Sequence, residues 1–209
     1  MGNKGRERNG EALPSLNEEQ AHRDSPPDEG RRRFAKAGAA GLPVMLTLAS
    51  RPVWAHRCTI SGMISGNDSS PGELPCEGCT PGYWGQHPEE WPDPYSAGDC
   101  KQGWSGNHCA SNDYDDNGTK FKQVFTGDTR FGEDLTMMQV IHLGGNEDPY
   151  QLGAHAVAAL LNAAKAMGGD MNFGYTPGDI IDLYNAHHAT SPEELKNSFQ
   201  MLNERSCPL

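Results

Sequence analysis

The sequence predicts a mainly α protein in which a C-terminal helical unit packs on an irregular, disulfide-stapled loop region. Three observations lead there. All six cysteines lie between Cys58 and Cys207, and an even number confined to one part of a chain is what a disulfide framework looks like. The 209 residues include 25 Gly and 15 Pro. With Asn and Asp they punctuate the stretch from His56 to about Phe125, so no helical or strand period is sustained there beyond short strands. After Phe125 apolar residues recur at helical spacing.

The chain is read in four parts. Residues 1–30 contain no aromatic residue and almost nothing apolar. They cannot bury enough surface to offset their ordering entropy, so they are expected to be disordered. Residues 31–55 read as a signal peptide: Arg31, Arg32 and Arg33 precede a mild apolar run from Ala37 to Ala49, and Val53-Trp54-Ala55 has the residue sizes a signal peptidase reads. The run is too short to span a bilayer, which takes roughly 20 apolar residues. Arg31-Arg32-Arg33-Phe34-Ala35-Lys36 resembles the twin-arginine export signal, with Ala35 in place of its leucine. Cleavage after Ala55 leaves residues 56–209 as one mature domain, made of a Cys/Gly/Pro-rich loop region (56–125) and a helical region (126–209).

Each helix of that region has its own signals. Asp134 to Leu143 places Leu135, Met138 and Ile141 on one face and stops at Gly144-Gly145. Pro149 to Met167 is rich in Ala, aligns Leu152, Ala156, Val157, Leu160, Leu161 and Ala164, and ends at Gly168-Gly169. Thr176-Pro177 sets a capping hydroxyl before a first-turn proline, with Asp179 following and Ile180, Ile181 and Tyr184 facing inward. Ser191-Pro192-Glu193-Glu194 repeats the device as a capping box, ahead of Leu195, Phe199 and Leu202. His155 and Asn162, seven apart, share a helix face that can make a polar contact to the loop region.

Charge narrows the partners. Three quarters of the 28 acidic residues but fewer than half of the 17 basic ones lie from His56 onward. So acidic a surface repels nucleic acid and anionic membranes.

The residues bear on four kinds of chemistry. Cys76-x-x-Cys79 with His87, Cys100, His108 and Cys109 offers zinc ligands, but no second paired motif completes a familiar site, and paired thiols in an exported chain oxidise. Haem attachment needs His after the second cysteine, where Thr80 stands. Asp113, Asp115, Asn117 and Gly118 occupy the first, third, fifth and sixth positions of a calcium loop, although Val124 stands where a bidentate Glu belongs. Otherwise no cofactor is expected, and the plain reading of that loop is an Asn-Gly turn. His142, His155, His187 and His188 lie on or near helices, with no G-x-S-x-G and no unpaired nucleophilic cysteine, so no catalytic residue is assigned. Tyr83, Trp84 and Trp91, with Tyr95 and Trp104, form either a stacking surface for sugars or the core of a region short of aliphatic residues; core is favoured.

"CTPGYWGQHPEEW", "GAHAVAALLNAA" and the closing "CPL" together resemble a recurrent module of secreted and cell-surface proteins. That module reads approximately C-T-P-G-Y-W-K-N-H…W-P, then R-H-A-V-A-A-L-L-N-A, then G-C-P-L. The resemblance runs from Cys79 to Leu209 and implies an extracellular location and a shared fold, not a reaction. The module's outermost cysteines correspond to Cys79 and Cys207, which implies that these two pair, with Cys58–Cys76 and Cys100–Cys109 as further local bridges. His87 and His155 recur together in the module, which implies that they face each other or a shared polar group. Gly85-Gln86 replaces Lys-Asn, Ala154 replaces Arg and Ser206 replaces Gly, and the loss of two basic residues weakens any anion site.

The expected product is an exported, non-catalytic structural or binding module of the periplasm or cell surface, acting in a surface layer, filament or adhesin. Its expected partners are further copies, other surface proteins or polysaccharide, with no membrane span in the mature chain. The alternatives are a metal-dependent enzyme or accessory using the His/Cys cluster, and a carbohydrate-binding module using the Trp and Tyr rings.

Overall fold

A computed structural model describes residues 58–64, 75–105, 108–109 and 113–209. The expectations for the N-terminal segment and for the signal residues Arg31, Arg32 and Ala55 lie outside the described residues.

The protein is mainly helical, and its C-terminal helices pack on a loop region held by three disulfides. Among the described residues the helices are, in chain order, α1 (Ile60–Ile64), α2 (Pro81–Gln86), α3 (Phe121–Val124), α4 (Met137–Ile141), α5 (Leu152–Gly168), α6 (Pro177–His187) and α7 (Pro192–Asn203). The strands β1 (Trp104–Ser105) and β2 (His108–Cys109) pair antiparallel, with Trp104 opposite Cys109.

α5 is the hub. It packs against α2, α4, α6 and α7, and every residue from Leu152 to Ala163 is buried. The sequence predicts one apolar face, but a helix surrounded on all sides buries its whole circumference. Its many alanines let four neighbours approach closely. Tyr150 (φ 63°) and Gln151 (φ 58°) are left-handed, so the predicted start at Pro149 becomes a separate 3₁₀ turn, Pro149–Gln151. Asp148 then caps α5, its carboxylate accepting from the amides of Gly153 and Ala154 at 2.9 Å each. Gly169, at φ 88°, ends the helix in the left-handed conformation glycine tolerates.

The other helices follow their caps. Thr136 and Gln139 form a reciprocal capping box, so α4 begins later than Asp134, and its buried face is Met137, Met138 and Val140. Thr176 and Asp179 cap α6 in the same way. Ile180, Leu183 and Tyr184 face the core there, while Ile181 is only half-buried. Ser191 departs from expectation: its side chain makes no cap bond, and its contribution to α7 is a backbone carbonyl that accepts from Leu195 N–H at 3.0 Å. Leu195, Phe199 and Leu202 are buried as the spacing predicts.

Loop region and helices share one core. Ile60, Cys79 and Trp84 lie in the same cluster as Leu160, Phe199 and Leu202. Phe121 and Phe125 pack on Tyr184 and on each other, and Phe131 packs on Phe121, with centroids 4.6–5.6 Å apart, spacing favourable for edge and tilted ring contacts. Below them the wholly buried Asp128 takes the Arg130 guanidinium at 2.6 Å and the Tyr184 hydroxyl. Burial pushes the Asp128 carboxyl up, but the bonds from Arg130 and Tyr184 outweigh it and hold the group below the usual carboxylate range.

Candidate functional site

The stretch from Cys79 to Pro92 is a short helix and a 3₁₀ turn. Thr80 Oγ1 accepts the Tyr83 amide at 3.2 Å and Pro81 occupies the first turn, the same Thr-Pro start that opens α6. The loop region therefore contains a helix that composition alone masked.

Asn162 of α5 holds this stretch in place. Its Oδ1 accepts from the Cys79 amide at 3.0 Å and from Trp84 Nε1 at 3.1 Å. Its Nδ2 donates to the Cys79 carbonyl and to Asn203 Oδ1, each at 2.9 Å. All four hydrogen-bonding positions of the amide are filled. Asn203 in turn donates to the His155 carbonyl at 2.9 Å, and Cys207 closes the arrangement through its disulfide to Cys79. Gly78 lies so close to α7 that a Cβ there would stand 2.1 Å from the Leu202 carbonyl oxygen. Polar contact between Asn162 and the loop region is thus present, at the centre of the fold rather than on an outer face.

Beside this knot lies a cavity of about 680 Å³, within the size range of small-molecule sites. It is formed by α2, the end of α4 at His142, Gln151 of the 3₁₀ turn, the start of α5 at Ala154 and His155, Cys109 of β2, and Glu204 at the end of α7. His155 is 8% exposed, and its Nδ1 is buried without a hydrogen-bond partner. Leaving such an atom unpaired costs about 1–3 kcal/mol. The His142 ring stands against Gly85, where a Cβ would come within 3.1 Å of its Cε1. Burial holds both imidazoles towards the neutral form. His142 is pushed down by burial, and His155 is pushed down to about 4 by burial and then by the charge of Lys196.

That displacement predicts an acid sensitivity. An unfolded histidine titrates near pH 6.5, so between about pH 6.5 and 4 the unfolded chain binds a proton that folded His155 refuses. Its contribution is complete above pH 6.5 and is lost as pH falls towards 4, by about 3 kcal/mol in all. Urea unfolding at pH 7 and pH 4 should show the acid loss reduced by about that amount in His155→Gln; an equal loss in both proteins would contradict it.

His87 and His155 are engaged separately. His87 stacks on Tyr83 at 4.3 Å and pairs its Nδ1 with Glu89 at 3.2 Å, whereas His155 lines the cavity. Of the candidate stacking residues Trp84 is buried, and Tyr83, Trp91 and Tyr95 are partly buried against the core. Trp84 has no exposed surface, which leaves no free face for a sugar, and Trp91 Nε1 donates to the Trp84 carbonyl at 3.0 Å. Tyr83 is half-buried and packs edge-on against Trp84 at 5.4 Å.

In the proposed calcium loop, Asn117 exchanges two hydrogen bonds with Asp99, at 2.6 and 2.9 Å. Asp113 pairs with Lys101 at 3.2 Å, and the Asp115 amide donates to the Asp99 carbonyl at 2.8 Å. Among the described residues no three His, Cys, Asp or Glu side chains form a metal-ligating group. All six cysteines are bonded, as Cys58–Cys76, Cys79–Cys207 and Cys100–Cys109, so none supplies a thiolate. The sequence reading missed Gln86, Gln151 and Glu204, which meet at the cavity only through the packing of three separate helices.

Fold and site together define a disulfide-stapled, mainly helical domain with a small-molecule-sized polar cavity. No family model, curated protein or solved structure matches the chain. Among the described residues no helix is long and apolar enough to cross a membrane.

Proposed function

We propose that the protein is exported through the twin-arginine route and acts outside the cytoplasm as a non-catalytic binding module, within a surface layer, filament or adhesin. The observation that carries this reading is the set of three bridges, which use every cysteine of the chain; bridges of this kind persist in oxidising compartments. The Arg31-Arg32 pair ahead of a mild apolar run supports the route. Among the described residues the cavity's cysteine, Cys109, is locked in its bridge to Cys100 and supplies no nucleophile, which supports binding over catalysis.

Replacing Arg31 and Arg32 with Lys keeps the charge and removes the guanidinium pair. The expected result in the native host is retention of uncleaved chain in the cytoplasm, read by fractionation. Unchanged export of the doubly substituted chain would remove the twin-arginine assignment.

A further inference from the structure

We propose that the cavity between α2, α4 and α5 is a binding site for a neutral pyranose saccharide. The inference rests on the reading of the chain as a binding module and names the ligand class of its site.

The lining decides the class. Gln86, Gln151, His142, His155 and Glu204 all border the space. Amides and neutral imidazoles each offer a donor and an acceptor, and a carboxylate offers acceptors. Sugar hydroxyls are donors and acceptors at once, so they match this mixture. No Lys or Arg borders the cavity among the described residues, Lys196 acting on His155 without lining it, which leaves a phosphate or carboxylate ligand without a direct ion pair. Apart from the two imidazoles, no aromatic ring borders it among the described residues, which disfavours a flat aromatic ligand. Pro81 and Ile141 provide an apolar wall for the C–H face of a pyranose ring.

A second observation points the same way. His155 is more than nine-tenths buried, and its Nδ1 has no partner among the described residues. A buried polar atom that borders a cavity is satisfied when a ligand hydroxyl arrives. The adjoining residue Gln151 is held left-handed at φ 58°, which fixes its direction at the mouth of the site. The sugar reading therefore moves from the buried Trp84 and its neighbours to a site the sequence did not single out.

The test is a titration of the oxidised, exported chain with maltose, cellobiose and N-acetylglucosamine, each as high as solubility allows. Inorganic phosphate and benzoate serve as comparisons. Long-range ¹H–¹⁵N spectra report the His155 ring nitrogens directly. The proposal expects saturable shifts of the His155 ring with at least one sugar and none with phosphate or benzoate. Affinity should fall about tenfold in Gln86→Ala or Gln151→Ala, the loss of one hydrogen bond. It is overturned if no sugar moves the ring, if phosphate or benzoate moves it instead, or if both Gln variants bind as the parent does. Sugar recovered unchanged agrees with the binding-module reading. Sugar recovered chemically altered, with the ring shifts present, keeps the site and removes the non-catalytic reading.

Discussion

Replacing Asn162 with Ala should destabilise the oxidised protein by about 4 kcal/mol, at the upper end of what single substitutions do. The side chain removed accepts from Trp84 Nε1–H and joins both backbone groups of Cys79 to Asn203. Alanine leaves these groups buried and unpaired, and each orphan costs about 1–3 kcal/mol, partly relieved by relaxation. The order of the Cys79–Trp91 stretch should suffer with it. Denaturant unfolding with disulfides intact measures the first effect, and Trp84 fluorescence the second. A loss below about 1 kcal/mol would mean that the disulfide and Trp84 packing hold this stretch without the amide.

The second large effect concerns Cys79–Cys207. Its sequence separation is 128, against 18 for Cys58–Cys76 and 9 for Cys100–Cys109. On the chain-entropy account, closing so long a loop contributes about 5 kcal/mol, and closing the shortest of the three about half that. Paired Cys→Ser replacements should therefore rank in the order of loop length, with the Cys79/Cys207 pair costing most. The tail beyond α7 is also tied through Arg205, which donates to the Cys58 carbonyl at 2.8 Å, so loss of the long bridge loosens two segments at once. Equal losses for the three pairs would contradict the ranking.

Much of the fold is legible from local signals. Thr176-Pro177 with Asp179, the Ala-rich stretch ending at Gly168-Gly169, and the spacing of Leu195, Phe199 and Leu202 each specify an element through the residues that form it. Where the same local chemistry was hidden in an irregular region, as at Thr80-Pro81, composition outweighed the capping signal. Ser191 shows the converse. The capping pattern is present, yet the backbone at φ −144° and ψ 56° leaves its hydroxyl out of the cap.

The cavity is a different matter. Gln86, His142, His155 and Glu204 are separated by tens of residues and lie on four elements. Their meeting depends on α5 being enclosed on every side, and periodicity shows only one face. His155 and Asn162 offered a signal, Asn162 above all: a polar residue inside an Ala- and Leu-rich helix must find partners when buried. Its partners turned out to be the backbone of the cysteine that anchors the loop region.

The central claim is that this chain works outside the cytoplasm as a processed, fully bridged domain. Its most direct test is the intact mass of the protein from the exported fraction of its own host, before and after reduction. The account predicts a chain beginning at His56 that gains the mass of six hydrogens on reduction, two for each of the bridges Cys58–Cys76, Cys79–Cys207 and Cys100–Cys109. A chain found only in the cytoplasm, still carrying Met1 and with its thiols free, would contradict it.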